Sequence, residues 1–377
     1  MLSISGMYTM YIVEAGFSKK EISFAVTLFT VSALIGQNVL GFISDHFQCV
    51  KKVLLASICL GIAATGIFIH STKILHIYVL IILWGFFLYG TVPLSEAWYI
   101  GVLKENGDQQ DFGKIRGVGS VGYALSGVLL GLLLETAGWS IYVWYILISA
   151  SFVLAIILII AEGNSIALFK VGTGKGGDGD VSFRKALKEM MQVKPLRLII
   201  LIIFLYNFVM KGIYSYLGVL VSDFGGGPFN LGLTYFFDAF PEIFTFYLAT
   251  RLLRKYNSKS LILAAFILQI VRLSLILVFK SALSIILLGS LAGFAYGLLA
   301  AAYKTYIYEL APEKYKVSCL SISESIIGLS GVMSAPVFGV IIMKFGGYAS
   351  IAVGLVIYCA VVLFLSINLY RERAVVS

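Results

Sequence analysis

The sequence predicts an all-α, polytopic membrane protein. Hydrophobic residues make up 60% of the 377-residue chain and charged residues only 12%, about half of the share found in soluble domains. Apolar stretches close to the roughly 20 residues that a helix needs to cross a ~30 Å hydrocarbon core recur along nearly the whole length. We therefore expect a bundle of membrane-spanning helices.

Twelve apolar segments are candidates for these helices. Their approximate limits are 1–13, 22–42, 53–70, 75–102, 114–136, 141–161, 197–220, 230–250, 260–279, 283–307, 318–343 and 349–369. The connections after the even-numbered segments carry most of the Lys and Arg residues, as the positive-inside rule expects of cytoplasmic loops. This pattern predicts a multi-pass protein of the cell membrane with both termini in the cytoplasm.

The first segment is short. About 13 residues before Glu14 form roughly 20 Å of helix, which is less than the membrane thickness. The segment has neither the basic start nor the small-residue cleavage site of a signal peptide. We expect helix one to be truncated, with about 10 further apolar residues encoded upstream of Met1; a short helix that thins the bilayer locally is the alternative.

A long polar stretch divides the chain into halves of similar size. The predicted units are an N-terminal helix bundle at 1–161, a cytoplasmic linker at 162–196 and a C-terminal helix bundle at 197–377. The linker contains a Gly-rich run that is superficially similar to a phosphate-binding loop. Lys175 is followed by Gly176 and no strand precedes it, so a flexible linker is the better interpretation.

Charged residues inside the apolar segments are the first candidates for function. A charge at the bilayer centre costs about 2.5–3.5 kcal/mol on insertion scales, so such residues usually face the bundle interior and mark a solute or proton path. Four acids and four bases are placed in this way: Glu96, Asp238, Glu242, Glu324, Arg116, Lys211, Arg272 and Lys304. Equal numbers predict internal neutralisation.

The position of each charged residue within its segment shows which ones are the stronger candidates for function. Glu242, Lys211 and Arg272 lie near mid-segment, where neither membrane surface is within easy reach, and are the strongest candidates. Arg116 and Lys304 lie nearer to segment ends, so snorkelling to the headgroups is an alternative for them.

The two halves resemble each other in sequence. The stretch 114–128 can be laid on 316–330, since both follow a charged turn and open a segment rich in Gly and Ser. Small residues allow helices to approach closely in lipid. Two related six-helix halves joined by a long inner loop are the plan of the major facilitator fold.

The segment from Gly41 to Lys52 is similar to a signature of the major facilitator superfamily between helices two and three. In that signature a Gly is followed four residues later by an Asp and then by a basic pair. The resemblance implies a twelve-helix major facilitator fold over essentially the whole chain. It also implies that four residues brace a closed cytoplasmic gate: Gly41, Asp45, Lys51 and Lys52. Gln48 departs from the signature, and an ordinary basic turn is the alternative.

Within the superfamily, the chain resembles the lactose-permease group of proton-coupled sugar, nucleoside and aromatic-acid permeases. The motifs that carry the resemblance are Pro93-x-x-Glu96, Phe112-Gly113-Lys114-Ile115-Arg116, Pro241-Glu242 and Val271-Arg272. The resemblance implies that Glu96 and Arg116 bind the solute from the first half, with Tyr123 in the place of a stacking tryptophan. It implies that Glu242 and Arg272 complete the site from the second half.

The chain also departs from that group. Its seventh segment has Asn207, Met210 and Lys211 where the lactose permease carries aspartates, and the tenth segment has neither the histidine nor the glutamate of that permease. We include Asn207 and Lys211 among the predicted solute-binding residues. Glu242 and Glu324 are the predicted proton-coupling residues, with a structural ion pair as the alternative for Glu324.

The predicted function is secondary active transport of a small polar solute (a sugar, a nucleoside or an organic acid) by proton symport. Efflux of amphipathic compounds by proton antiport, and a non-transporting membrane sensor or lipid-handling protein, are the alternatives. No catalytic triad, metal cluster or nucleotide fingerprint stands out, so the sequence predicts neither an enzyme nor a metal site or cofactor. The expected partners are the solute, protons and the lipid bilayer rather than nucleic acid, and the expected state is a monomer.

Overall fold

The computed structural model describes residues 5–47, 49–68, 73–96, 98, 112–159, 190–312 and 316–376, and no strand occurs among them. The helices are α1 (Tyr8–Glu14), α2 (Lys19–Phe47), α3 (Val50–Ile67), α4 (Ile74–Glu96), α5 (Phe112–Ala137), α6 (Tyr142–Ile159), α7 (Lys194–Ser215), α8 (Leu217–Asp223), α9 (Pro228–Lys255), α10 (Ser258–Phe279) and α11 (Ala282–Leu310). The final helical stretch, Lys316–Val376, is broken at Gly346, where φ is 81°, into α12 (316–345) and α13 (347–376).

Each of the twelve predicted segments has a helical counterpart. The seventh corresponds to α7 and α8, which are separated at Tyr216, and the eleventh and twelfth correspond to α12 and α13. Nine stretches of the described residues are long and apolar enough to cross a membrane, with α12 and α13 counted as one stretch. The all-α membrane architecture is therefore confirmed. Most of the predicted linker, 160–189, lies outside the described residues.

Helix α9 is long enough to span the membrane but is less apolar than its neighbours. It carries Asp238 and Glu242 in its middle and Pro241 between them. The helix packs chiefly against α5 of the first half and α11 of the second. Because a carboxylate facing lipid is costly, this central position allows α9 to carry two of them.

The backbone of α4 widens where it contacts its neighbours. Residues Trp84–Leu88 form a π-helical turn that is followed by a tight turn at Tyr89–Thr91. The hydroxyl of Ser57 donates a hydrogen bond of 2.8 Å to the carbonyl oxygen of Phe87, and Trp84 Nε1 donates one of 2.8 Å to Thr65 Oγ1. These bonds supply partners for polar groups that lipid cannot satisfy.

The bundle has two ends, which we name by their residues. The Lys19 end contains Lys19, Ala137, Asp223, Lys280 and Gly346. The linker end is the opposite end of the bundle, where the long helices α2, α6 and α11 end at Phe47, Ile159 and Leu310. At the Lys19 end the two halves are in close contact. The Lys19 ammonium lies 2.7 Å and 3.0 Å from the two carboxylate oxygens of Asp223.

Glycines bring the backbones of the two halves together near this end. A Cβ atom at Gly131 of α5 would lie 2.7 Å from the carbonyl oxygen of Pro228 on α9, and one at Gly232 would overlap the carbonyl oxygen of Gly127. Tyr216 lies between α2 and α12, where its hydroxyl donates a hydrogen bond of 2.8 Å to the Ala335 carbonyl and lies 3.3 Å from the Ser23 hydroxyl. The halves are therefore joined at the Lys19 end.

The ion pair between Lys19 and Asp223 gives a first prediction. Its side chains are 42% and 25% exposed, so the pair contributes up to about 1 kcal/mol. Lys19→Ala or Asp223→Ala should shift the equilibrium toward opening of the Lys19 end by up to about fivefold. The measurement is the rate at which an impermeant maleimide labels Ser215→Cys, just beneath this end, with Cys49, Cys59, Cys319 and Cys359 replaced by Ser.

The control is Lys20→Ala, which removes the neighbouring exposed lysine and should leave the labelling rate unchanged. The charge-exchanged double variant, Lys19→Asp with Asp223→Lys, should restore slow labelling. Equal rates for all of these variants would show that the pair does not hold the Lys19 end closed.

Candidate functional site

A polar cavity lies between the two halves, and its larger part, the main lobe, has a volume of about 700 Å³. Helices α4 and α5 of the first half and α7, α9, α11 and α12 of the second form its wall. Its polar lining residues are Glu96, Ser120, Tyr123, Asn207, Lys211, Tyr214, Asp238, Glu242 and Tyr296. Five residues of the predicted solute site thus share one cavity, namely Glu96, Tyr123, Asn207, Lys211 and Glu242.

A second lobe of about 300 Å³ adjoins the first. It is formed mainly by α1 and α2 of the first half, together with α7, α9 and α12 of the second. Tyr123, Lys211 and Tyr214 line both lobes, so these three side chains form the boundary between them.

The position of Lys211 is fixed by α12. Its Nζ atom donates a hydrogen bond of 2.6 Å to the carbonyl oxygen of Ile327. The lysine stem crosses Gly331, where a Cβ atom would lie 2.8 Å from Lys211 Cδ. The absence of a side chain at Gly331 therefore creates the room in which the lysine reaches the cavity.

Asp238 faces the main lobe from the middle of α9 and interacts electrostatically with Arg272 and Tyr214. A Cβ atom at Gly293 of α11 would overlap the Asp238 carbonyl oxygen, so the backbones of α9 and α11 are in direct contact here. This contact places the Asp238 carboxylate in the cavity wall.

Arg272 lies behind this wall rather than in it. Its side chain is 1% exposed, and its guanidinium carbon is 5.6 Å from the centre of the Tyr214 ring. Its Nη1 atom donates a hydrogen bond of 3.3 Å to Gln269, which in turn donates one of 2.9 Å to the Tyr206 hydroxyl. The structure therefore connects Arg272 to the cavity through Tyr214 and Asp238.

Glu324, the second predicted proton-coupling residue, is not among the residues that line the two lobes. Its carboxylate accepts a hydrogen bond of 2.9 Å from the Tyr303 hydroxyl and forms an ion pair of 3.0 Å with Lys304. About half of each charged side chain is exposed. This geometry matches the structural ion pair that the sequence left open for Glu324.

The predicted gate residues lie in the last two turns of α2 and the first turn of α3, at the linker end, and are not among the residues that line the two lobes. Asp45 and Lys52 are exposed, and Gly41 and Lys51 are half-buried. Gln48 lies outside the described residues, as does the side chain of Arg116, whose backbone is one helical turn before Ser120 on α5.

Sequence reasoning placed Asp238 among the intramembrane acids but not in the site. The spacing of four residues to Glu242 could have indicated the shared helix face. It also missed Thr30 and Gln37 of α2, which line the second lobe. Their spacing of seven residues, about two helical turns, places both on one face of α2. Two polar residues on one face of an apolar segment could have indicated that this face lines a cavity.

Helices from two halves of one chain, arranged around a polar cavity that both halves line, define a membrane transporter of the major facilitator superfamily. Residues 3–347 match the MFS_1 like family. The chain belongs to this family. The major facilitator fold predicted from the sequence is thereby confirmed, and the protein is a multi-pass membrane transporter rather than an enzyme.

Individual transporters are also similar to this chain. The maltose permease of Geobacillus stearothermophilus is 22% identical over 313 residues, which cover 83% of this chain and 76% of the permease. The crystal structure of the nucleoside transporter NupG aligns with a TM-score of 0.78 at 12% identity, covering 96% of this chain and 93% of that one. The crystal structure of a D-xylose-proton symporter aligns with a TM-score of 0.69 at 14% identity, covering 96% and 92%. At these identities the two structures show the fold alone.

The contact between Gly331 and Lys211 gives a second prediction. Gly331→Ala should displace the lysine stem, costing about 1–3 kcal/mol as overpacking does, and should weaken solute binding. Gly122→Ala on α5 is the comparison, because this exposed glycine is not among the residues that line the two lobes and has no heavy atom within 4 Å of the added Cβ. It should stabilise the helix by about 0.5–1 kcal/mol.

Thermal unfolding and solute affinity, measured together on both purified variants, check this prediction. Opposite shifts in melting temperature, with a loss of affinity only for Gly331→Ala, are expected. Similar behaviour of the two variants would mean that Gly331 does not position Lys211.

Proposed function

We propose that the protein carries a small, uncharged, hydroxyl-rich solute (a sugar or a nucleoside) across the membrane by proton symport. The observation that supports this most directly is the cavity between the two halves. Both halves contribute carboxylates and tyrosines to its wall, and the second half contributes Lys211. Hydrogen-bonding groups that converge on a concave site are typical of small-molecule binding. Rocking of the 1–161 and 197–377 bundles about this cavity would expose the solute to each side in turn.

The carboxylates of the main lobe favour a hydroxylated solute. Among the described lining residues, the carboxylates of Glu96, Asp238 and Glu242 face the cavity together with the ammonium group of Lys211. A solute with hydroxyl groups can donate hydrogen bonds to these carboxylates, which the carboxylate of an organic anion, a solute that the sequence also allowed, cannot do. Carboxylates accept hydrogen bonds from hydroxyl groups, and tyrosine rings offer apolar faces on which a sugar or a base can stack.

The relatives support the same class of solute. The names of the maltose permease, the nucleoside transporter and the D-xylose-proton symporter each refer to a solute with a hydroxylated ring. The last of these names also refers to a proton, which supports proton coupling as the driving force for this chain.

The proposed role of each residue follows from its position in or behind the cavity wall. Glu96, Tyr123, Asn207 and Lys211 contact the solute from the cavity wall. Arg116 approaches from α5 as the resemblance implies, and Arg272 acts from behind Tyr214.

Glu242 is the proposed proton carrier, because a carboxyl group that lines a cavity open to one side of the membrane at a time can bind a proton on that side and release it on the other. Glu324, which the sequence named as a second coupling group, is assigned the structural ion pair with Lys304 instead. The basic connections support placement of the linker end and both termini in the cytoplasm.

Replacement of Glu242 tests the coupling. Glu242→Gln keeps the shape and hydrogen-bonding capacity of the side chain but removes the titratable proton. Uptake driven by an inward proton gradient into proteoliposomes should fall to background, while exchange of solute at equal pH should survive at least partly. Glu309→Gln, an exposed carboxylate at the end of α11, is the matched control and should behave like the parent.

Full gradient-driven uptake by Glu242→Gln would exclude this residue as the proton carrier. Loss of both uptake and exchange would assign it to solute binding alone.

Replacement of Arg116 tests solute binding. Arg116→Ala should remove a charge-assisted hydrogen bond worth about 1.5–3 kcal/mol, which corresponds to a roughly 10- to 150-fold rise in Kd. Equilibrium binding to the purified protein measures it. An unchanged Kd would place Arg116 at the membrane surface, where its side chain snorkels.

A further inference from the structure

We propose that Glu135 of α5 is a gating residue of the transport cycle. Its carboxylate caps the N-terminus of α9 while the Lys19 end is closed, and this cap is lost when that end opens. The inference rests on the proposed function, because it assumes that the 1–161 and 197–377 bundles rock about the cavity. It gives a role to a residue that belongs neither to the sequence motifs nor to the solute site.

The N-terminus of α9 lacks a capping side chain of its own. The N–H groups in the first turn of a helix have no acceptor within the helix, and a Ser, Thr, Asp or Asn side chain just before the helix commonly supplies one. In α9 that position is occupied by Gly227, and the helix begins at Pro228. Glycine has no side chain that could accept, so α9 needs an acceptor from another part of the protein.

Glu135 supplies this acceptor from the other half. The Phe229 N–H donates a hydrogen bond of 3.3 Å to Glu135 Oε2. A Cβ atom at Gly227 would lie 2.6 Å from the same oxygen, so the carboxylate occupies the space in which a capping side chain would begin. The partial positive charge at the N-terminus of a helix also attracts a carboxylate. Glu135 therefore acts as the N-cap of a helix in the opposite bundle.

This contact lies where the two halves must separate. Gly131 of α5 lies against the first turn of α9, with the Pro228 carbonyl oxygen 2.7 Å from a Cβ atom built on it. Glu135 is four residues further along α5, on the same helix face and nearer to the Lys19 end. Opening of that end moves α5 away from the first turn of α9 and breaks the hydrogen bond to Phe229.

The exposure of Glu135 suits a contact that breaks and re-forms in each cycle. Glu135 is exposed, so water can hydrate the carboxylate once the halves have moved apart. The cap therefore favours the closed Lys19 end without locking it. The pair of Lys19 and Asp223 has the reciprocal arrangement at the same end, since there a carboxylate of the second half meets a positive charge of the first.

Replacement of Glu135 tests the proposal. The readout is the rate at which an impermeant maleimide, added at the Lys19 end, labels Ser215→Cys in the protein whose native cysteines are replaced by Ser. Glu135→Gln keeps the size of the side chain and removes the charge. It should raise the rate about two- to fivefold, as loss of an exposed charge at a helix N-terminus gives. Glu14→Gln, which changes an exposed carboxylate at the end of α1, is the matched control and should leave the rate unchanged.

Replacement of Gly227 separates gating from helix stability. The backbone at Gly227 is extended, with φ −96° and ψ −172°, so a serine fits there. The Cβ atom of Gly227→Ser displaces Glu135, while its hydroxyl can cap α9 directly. The labelling rate should rise about two- to fivefold with no fall in melting temperature. The double variant, Glu135→Gln with Gly227→Ser, should label no faster than either single variant, because both changes remove the same contact.

Labelling from the linker end completes the test. Ser120→Cys, in the wall of the main lobe, should be labelled from the linker end no faster in the Glu135→Gln background than in the parent. Faster labelling from both ends would show a general loosening of the bundle and overturn the proposal. An unchanged rate at Ser215→Cys in either single variant, or additive rates in the double variant, would also overturn it.

Proton-driven uptake by the parent protein is measured in parallel. Absence of uptake, together with the expected labelling pattern, would overturn the proposed function and support the gating role of Glu135, because labelling reports the opening of the Lys19 end directly.

Discussion

The structure depends on the requirement that polar groups inside an apolar membrane find their partners within the protein. Water can hydrate a charge on a soluble protein, but hydrocarbon cannot, so each buried charge or open carbonyl must be paired or must face a cavity. Arg272 meets this requirement in part: Nη1 donates to Gln269 and the guanidinium lies over the ring of Tyr214, while Nε has no hydrogen-bond partner among the described residues. The same requirement explains why α9, with two carboxylates in its middle, packs against α5 and α11, while its exposed face carries Phe240, Phe244 and Leu248.

The charged side chains must also be held in place, although no hydrophobic driving force brings helices together in lipid. Close packing of the helix backbones does this. Small residues allow van der Waals contact between backbones in lipid. Gly131 and Gly232 bring α5 against α9 across the two halves, and Gly293 brings α11 against the backbone of Asp238. The position of the Asp238 carboxylate therefore follows from glycines on a neighbouring helix.

The contacts between the halves at the Lys19 end are individually weak. The pair of Lys19 and Asp223 is partly exposed, and exposed ion pairs contribute about 0–1 kcal/mol. Tyr216 adds hydrogen bonds to both α2 and α12 at the same end. Contacts of this strength can close one end of the cavity and still be broken by a modest change in solute or proton binding, which supports the proposed alternation between two open states.

The sequence by itself determined the class of protein, the approximate limits of the apolar segments and the identity of the charged candidates. Helix length and apolar content depend on local composition, so all twelve segments could be located to within several residues. The break at Tyr216 and the wide turn at Trp84–Leu88 were not predicted. Tyr216 contacts α2 and α12, and the wide turn packs against α2 and α3, so both lie at contacts that local composition does not reveal.

Only the tertiary structure decided which charges share a cavity. Glu242 and Lys211 both occupy mid-span positions in the sequence, as Arg272 does, yet the first two line the main lobe while Arg272 is buried behind Tyr214. The second lobe on α2 also became visible only in three dimensions. The physical reason is that a helix presents every residue to some neighbour, and the rotation of each helix in the bundle, set by packing against the others, selects the face that meets the solute.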